Sequence, residues 1–200
     1  MTPAVTMGLI AALGTITIQE QPETLIRGPV ESGGFGGPVV KFTELADQFA
    51  VFVGGRGGWI INHCFIIGGG GYGLVNEDVE IHPSVMDSDP ECVLEMGYGG
   101  LELEYVHRSK RVVHGSIMVL IGGGSAGYHD WYWDSTIDSD AFFIAEPTLN
   151  FELNVSRPFR IAFGGGYRFV SGFELPELPE IDDSDLGGIT GTLTFKFGSF

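Results

Sequence analysis

Apolar and polar residues take turns along most of this chain, and a period of two is the pattern of an extended strand with one oily and one polar face. In "FFIAEPTLNFELNV", Phe142 to Val155, the odd positions carry Phe143, Ala145, Leu149, Phe151, Leu153 and Val155, while Glu146, Thr148, Asn150, Glu152 and Asn154 fill the even ones. "FRIAFGGGYRFV" from Phe159 repeats the pattern, with Arg160 and Arg168 on the polar side, and "ITGTLTFKF" sets Ile189, Leu193, Phe195 and Phe197 against Thr190, Thr192, Thr194 and Lys196. Eight such runs occur, at roughly 34–45, 49–61, 64–76, 92–106, 112–127, 141–155, 159–172 and 186–198, each of 11 residues or more. Strands of soluble domains average about 5–6 residues, whereas a tilted strand that crosses a bilayer takes about 9–11. Run length therefore predicts transmembrane strands.

The connections between the runs alternate in kind. Ala46–Gln48, Asn62–His63, the "RSKR" at 108–111 and Ser156–Pro158 are short, and the segments 77–91, 128–140 and 173–185 are long. In an up-and-down meander all three long segments fall at the same end. They hold sixteen acidic residues and no Lys or Arg, whereas Arg108, Lys110, Arg111 and Arg157 occupy the opposite turns. Such sorting of charge suits a protein whose two ends face different compartments. Aromatic residues near the run ends, Trp59 and Tyr105 at one side and Trp131, Trp133 and Phe142 at the other, read as interfacial girdles. The fold class that follows is all-β: a closed, eight-stranded, antiparallel, up-and-down transmembrane β-barrel over residues 33–200.

Composition excludes several other classes. Disordered glycine-rich chains are poor in aromatics, but this one has 32 Gly and 15 Phe among 200 residues. A formal charge of −16 argues against binding nucleic acid through its phosphates. Cys64 and Cys92 form no metal or disulfide framework, and the strand register puts them at opposite ends of the sheet, so no bridge between them is predicted. Residues 1–20 are apolar and almost uncharged, with the outline of an atypical or truncated secretory signal that lacks its positive start; residues 21–32 then form an N-terminal periplasmic segment.

The glycine-rich stretch Gly54–Gly73 raises the question of a phosphate cradle, since "GGGGYG" from Gly68 and "GGGSAG" from Gly122 both match GxGxxG. A dinucleotide site needs a helix after the glycines, and neither match is followed by a helical pattern. No cofactor is predicted.

Parity assigns Lys41, Arg56, Glu102, Glu104, His114, Glu146, Glu152, Arg160 and Arg168 to the inward faces, four acids against four bases besides the histidine. An eight-stranded barrel is just wide enough for side chains to fill it, and buried charges must pair, so these residues predict a salt-bridge plug rather than an open pore. Carboxylates at Asp87, Asp89, Asp138, Asp140, Asp182 and Asp183 are weak candidates for holding Ca²⁺ or Mg²⁺ at the loops, without the spacing of an EF-hand. His82 with Ser84 and Asp87, or His129 with Asp130 and Ser135, would serve an enzyme at the rim, but polar loops produce such groupings without catalytic geometry.

With these eight runs, the loop asymmetry and the aromatic ending "TLTFKFGSF", the chain resembles the small eight-stranded outer-membrane β-barrels of Gram-negative bacteria, a group that includes the transmembrane domain of outer-membrane protein A. The segments "GGFGGPVVKF", "GGRGGWIINH" and "GGGGYGLVN" are also similar to uncharacterised bacterial barrel proteins. The resemblance implies residence in the outer membrane, among its lipid and lipopolysaccharide, and assembly by the barrel insertion machinery through an aromatic strand end. Phe200 departs from the pattern, being out of register with Leu193, Phe195 and Phe197. Acidic outer loops then imply a structural or surface-binding role. Three alternatives remain at this point: a soluble lipocalin-like lipid-binding barrel whose oily positions face a cavity, a rim enzyme, and a narrow channel.

Overall fold

The computed structural model describes residues 30–76, 92–130, 135–173 and 183–200, without side-chain detail at 92–93, 128–130 and 135–138. Eight strands follow in chain order: β1 Ser32–Leu45, β2 Gln48–Ile61, β3 Phe65–Leu74, β4 Cys92–His107, β5 Val113–Asp130, β6 Ser135–Ser156, β7 Phe159–Ser171 and β8 Gly188–Ser199, with one short helix, α1 Asp183–Leu186, before the last. Each strand pairs antiparallel with the next, and β8 pairs with β1, so the sheet closes as a barrel without an edge. Closure matters because an edge strand carries unpaired N–H and C=O groups that lipid cannot satisfy.

Tight turns fix the register. Ala46 and Asp47 join Leu45 to its partner Gln48 with φ of 46° and 63°, and Asn62 and His63 turn β2 into β3 with φ of 51° and 57°. These left-handed angles match the right-handed twist of the paired strands. Asn62 is further anchored, since its side chain accepts from the Glu31 N–H at 3.0 Å.

The pleat then sorts the side chains as the alternation predicts. Leu149 and Phe151 point outward, 61% and 72% exposed, while Glu146 and Glu152 on the same strand are 0% and 1% exposed. The same holds around the wall: Phe163, Phe169, Ile189, Ile117 and Leu101 are exposed, and Arg160, Arg168, Thr190, Ser116 and Glu102 are buried. A lipocalin-like reading requires the reverse, oily positions inside and charges outside, and the packing overturns it.

The segment Gly54–Gly73 is the β2–β3 hairpin, in which Gly57 faces Gly69 and Gly58 faces Gly68. A Cβ at Gly68 would lie 2.1 Å from the Gly57 carbonyl oxygen and 2.7 Å from Gly58 Cα, so the two strands approach too closely for any side chain there.

Two expectations change at the long-loop end. The segment 128–140 is largely strand: β5 continues to Asp130 and β6 starts at Ser135, with a bulge between Tyr128 and His129. Ser139 and Asp140, expected as loop, pair there with Gly127 and Ala126. Segment 173–185 ends in α1, whose Leu186 is buried, and β8 begins only at Gly188. The register also sets Cys64 beside Val106, at the end of β4 opposite Cys92.

The glycine contacts give a paired test. Gly68→Ala should cost about 1–3 kcal/mol through overpacking against backbone, whereas Gly71→Ala, with nothing within 4 Å of the added carbon, should stay within about 0.5 kcal/mol. Urea unfolding of the two refolded variants measures the difference, and equal midpoints would refute the close approach.

Candidate functional site

All nine inward-facing candidates lie within the lumen and are buried. At its centre Arg56 bridges two carboxylates, Nε donating to Glu102 Oε2 at 2.6 Å and Nη2 to Glu104 Oε2 at 2.9 Å. Lys196 Nζ lies 3.0 Å from Glu104 Oε1 and 2.7 Å from Glu152 Oε1, which joins β4 to β6 across the barrel. The Ser116 hydroxyl sits between the same two glutamates, 2.9 Å from Glu152 Oε1, and accepts from Asn150 Nδ2 at 3.3 Å. His114 donates from Nδ1 to the Arg111 carbonyl at 3.1 Å, with Nε2 3.4 Å from Glu152 Oε2.

Nearer the long loops, Lys41 Nζ donates to Glu146 Oε1 at 2.8 Å and lies 3.7 Å from the centre of the Tyr72 ring. Tyr98 donates to Glu146 Oε2 at 2.9 Å and Tyr72 to Glu102 Oε1 at 2.5 Å, so the phenols link the Lys41 pair to the Arg56 cluster. Gly70 makes room for that link, because a Cβ there would lie 2.5 Å from both Glu102 Oε1 and the Tyr72 hydroxyl. Arg168 is held differently. Its Nε donates to the Leu186 carbonyl at 2.7 Å and Nη2 to Thr43 Oγ1 at 3.3 Å, while its guanidinium lies over Phe52, 5.2 Å from the ring centre.

Two details differ from the balance read in the sequence. Lys196 is a fifth buried cation, and Arg168 makes no ion pair with an acid among the described residues. Lys196 was legible: the β8 parity that sends Thr190, Thr192 and Thr194 inward sends it inward too. Tyr72 and Tyr98 occupy even positions on β3 and β4 and follow the same rule. The α1 carbonyl that receives Arg168 had no sequence signal, since four residues of "DSDL" carry no helical periodicity.

Apolar layers close the network at both ends. Leu45, Leu94, Phe142, Phe173 and Leu186 pack together toward the long loops, and Phe35, Ile60, Ile66 and Val106 toward the short turns. Phe142 therefore corrects the girdle assignment: it is 4% exposed and packs edge-on to Phe173, because its even position points inward and leaves Phe143 outside. Trp59 and Tyr105 do face outward near the short turns, with Trp59 Nε1 donating to Ser32 Oγ and Tyr105 against Phe65. Phe200 is out of register with Phe197 for the same reason of parity. It turns inward, stacks on Phe35 and lies under the Arg160 guanidinium at 3.9 Å.

Of the cation candidates, Asp183 accepts from the Phe173 and Gly172 N–H groups, at 2.8 and 3.2 Å, and so caps α1's approach to β7. Asp140 is on β6 and is partly buried. Asp87, Asp89, Asp182 and the Asp138 side chain lie outside the described residues, as do Trp131, Trp133, the segment 1–29, and the rim groupings around His82 and the His129 side chain. No three candidate ligands converge among the described residues.

No protein-family model and no curated protein sequence matches the chain. Among solved structures, Neisserial surface protein A is similar with a TM-score of 0.59 at 9% identity, over 86% of this chain and 99% of that one. Ail, the attachment invasion locus protein of Yersinia pestis, solved also with the heparin analogue sucrose octasulfate, aligns with a TM-score of 0.46 at 14% identity, over 84% of this chain and 95% of the other. The outer membrane protease OmpT from Escherichia coli covers 84% of this chain and 94% of its own, at 11% identity and a TM-score of 0.33. The chain thus has the eight-stranded barrel fold of the Neisserial protein.

The pairs in the lumen predict a specific pattern of stability. Glu146→Ala leaves Lys41 buried without its carboxylate and should cost about 3–5 kcal/mol. Replacing both partners, Lys41→Met with Glu146→Leu, removes the buried charges together and should cost less than the single change. Unfolding midpoints of the three refolded proteins check this order.

Proposed function

We propose that the chain is a bacterial outer-membrane barrel with a structural or surface-binding role, exercised through its acidic loops, and that the salt-bridge network plugs its lumen. The observation that carries this reading is the inverted polarity of the wall. A surface that exposes Phe143, Leu149, Phe151, Phe163 and Ile189 in one band suits hydrocarbon, where each buried apolar side chain gains about 1.5–3 kcal/mol over exposure to water. Inside, acids and bases are engaged with one another, which supports the reading of a plugged lumen. We assign the chain no reaction and no cofactor.

In this reading the short, basic turns and the β1 start face the periplasm, and the three long-loop segments face outward, with lipid and lipopolysaccharide around the wall and the insertion machinery as the assembly partner. The acidic loop carboxylates are then placed to attract divalent cations at a lipopolysaccharide surface, whose anionic groups those ions also neutralise.

Topology is tested with single cysteines in a chain whose Cys64 and Cys92 are replaced by Ser. A membrane-impermeant maleimide should label Asp87→Cys on intact cells and Arg157→Cys only after the outer membrane is opened, and spin-labelled lipid should quench a fluorophore on Leu149→Cys. Labelling of Arg157→Cys but not Asp87→Cys on intact cells would invert the assignment, and an unquenched residue 149 would refute the lipid contact. In planar bilayers the plugged lumen should give no stable single-channel steps; a steady unit conductance would refute the plug.

A further inference from the structure

The short-turn mouth of the barrel carries chemistry that neither the wall nor the acidic loops use. A cleft of about 660 Å³ opens there, lined by the β2–β3 turn at His63, the β4–β5 turn at Ser109 and Lys110, the β6–β7 turn at Arg157 and Pro158, and Arg160 with Phe200 at its base. An adjoining cleft shares His63, Ser109 and Lys110 and adds Arg108 and Arg111. In a chain of formal charge −16, the first cleft has, among the described residues, three permanent cations and no carboxylate side chain in its lining. In the second, Glu31 is already engaged by His63.

The walls are built rather than incidental. Asn154 Nδ2 donates to the Ser109 carbonyl at 2.9 Å and the Arg111 carbonyl at 2.7 Å, tying the β4–β5 turn to β6, and Gly198 N–H donates to the Pro158 carbonyl at 2.9 Å. Arg160 is 8% exposed and stacked on Phe200. Among the described residues its nearest acid is Glu152, with Oε2 at 4.0 Å from Nη1, beyond hydrogen-bond reach. A guanidinium is a planar fork of five donors that fits oxyanions two bonds at a time, and this one is fixed in orientation at the base of a cationic cleft with most of its donors unspent.

We infer that this cleft binds a multivalent phosphate-type oxyanion, held by the Arg160 fork at its base and by Lys110 and Arg157 at its rim. The charge of the mouth favours a multivalent anion, since Lys110, Arg157 and Arg160, with Arg108 and Arg111 in the adjoining cleft, outnumber the carboxylates of Glu31 and Glu152 beside them. A phosphate ester free in solution and a phospholipid headgroup present the same oxyanion, and the test separates them. The inference stands on the mouth alone and holds whether or not the wall lies in lipid.

The test is calorimetric titration of inorganic pyrophosphate into the folded full-length protein at low salt, in neutral detergent if the wall requires it. Lys110→Gln with Arg157→Gln, both at turns outside the ladder, should raise Kd at least ten-fold, as should Arg160→Gln. Asp47→Asn, at the opposite end of the barrel, should leave it unchanged. Repeating the titration in nanodiscs identifies the source: competition from an anionic phospholipid marks the headgroup, and equal affinity in zwitterionic and anionic discs marks a soluble ester. Absence of binding at low salt, or an unchanged Kd in the double turn variant, would overturn the site.

Discussion

A closed antiparallel ladder leaves no free choice about where its side chains go. Successive residues must point to opposite faces, so closing eight strands into a ring delivers half of every strand into a space only just wide enough for it. In this chain the ring closes between β1 and β8, and every other feature follows from that seam. Outward residues become one continuous apolar band, and inward residues, drawn from all eight strands, must satisfy one another because little else can reach them.

That necessity explains the composition of the lumen. Four buried glutamates would be intolerable alone, and they are met by Lys41, Arg56 and Lys196 in direct pairs, with His114 and Arg160 near Glu152. Tyr72 and Tyr98 donate into the same acids and lay their rings against Lys41, so one cation is satisfied by a carboxylate and by two π-faces. Arg168 shows what happens without an acid: a backbone carbonyl from α1, a threonine hydroxyl and aromatic faces share the charge. Because α1 supplies that carbonyl, the short helix is tied into the lumen rather than laid on top of it.

Most of this was legible in the residues because period two needs no tertiary knowledge. Phe151 and Glu152 declare their faces as soon as a strand is assumed, and the nine inward charges follow by counting. Residue type misleads where parity does not: Phe142 has the look of a girdle aromatic but the parity of Glu146, and Lys196 shares the parity of Thr194 and belongs to the lumen. It also misleads where side chains carry no sign of their face. Ser139 and Asp140, both polar, read as loop but pair as strand with Gly127 and Ala126, and the facing of Gly70 is plain only through Glu102 and Tyr72 beside it. The specific pairings, Arg56 with two glutamates and Lys196 across the barrel, depend on shear between strands, which no single strand encodes.

Most acidic residues of the sequence fall in the segments 77–91, 128–140 and 173–185, and Arg108, Lys110, Arg111 and Arg157 lie at the short turns. The account depends on one claim beneath both, that the wall is a closed barrel made for lipid. Fractionation of expressing cells followed by gel electrophoresis with and without boiling tests it most directly. The account predicts recovery in the outer membrane, and a band that migrates differently unboiled because the closed ladder survives detergent until heated. Recovery in the soluble fraction without detergent, with one mobility whether boiled or not, would contradict it.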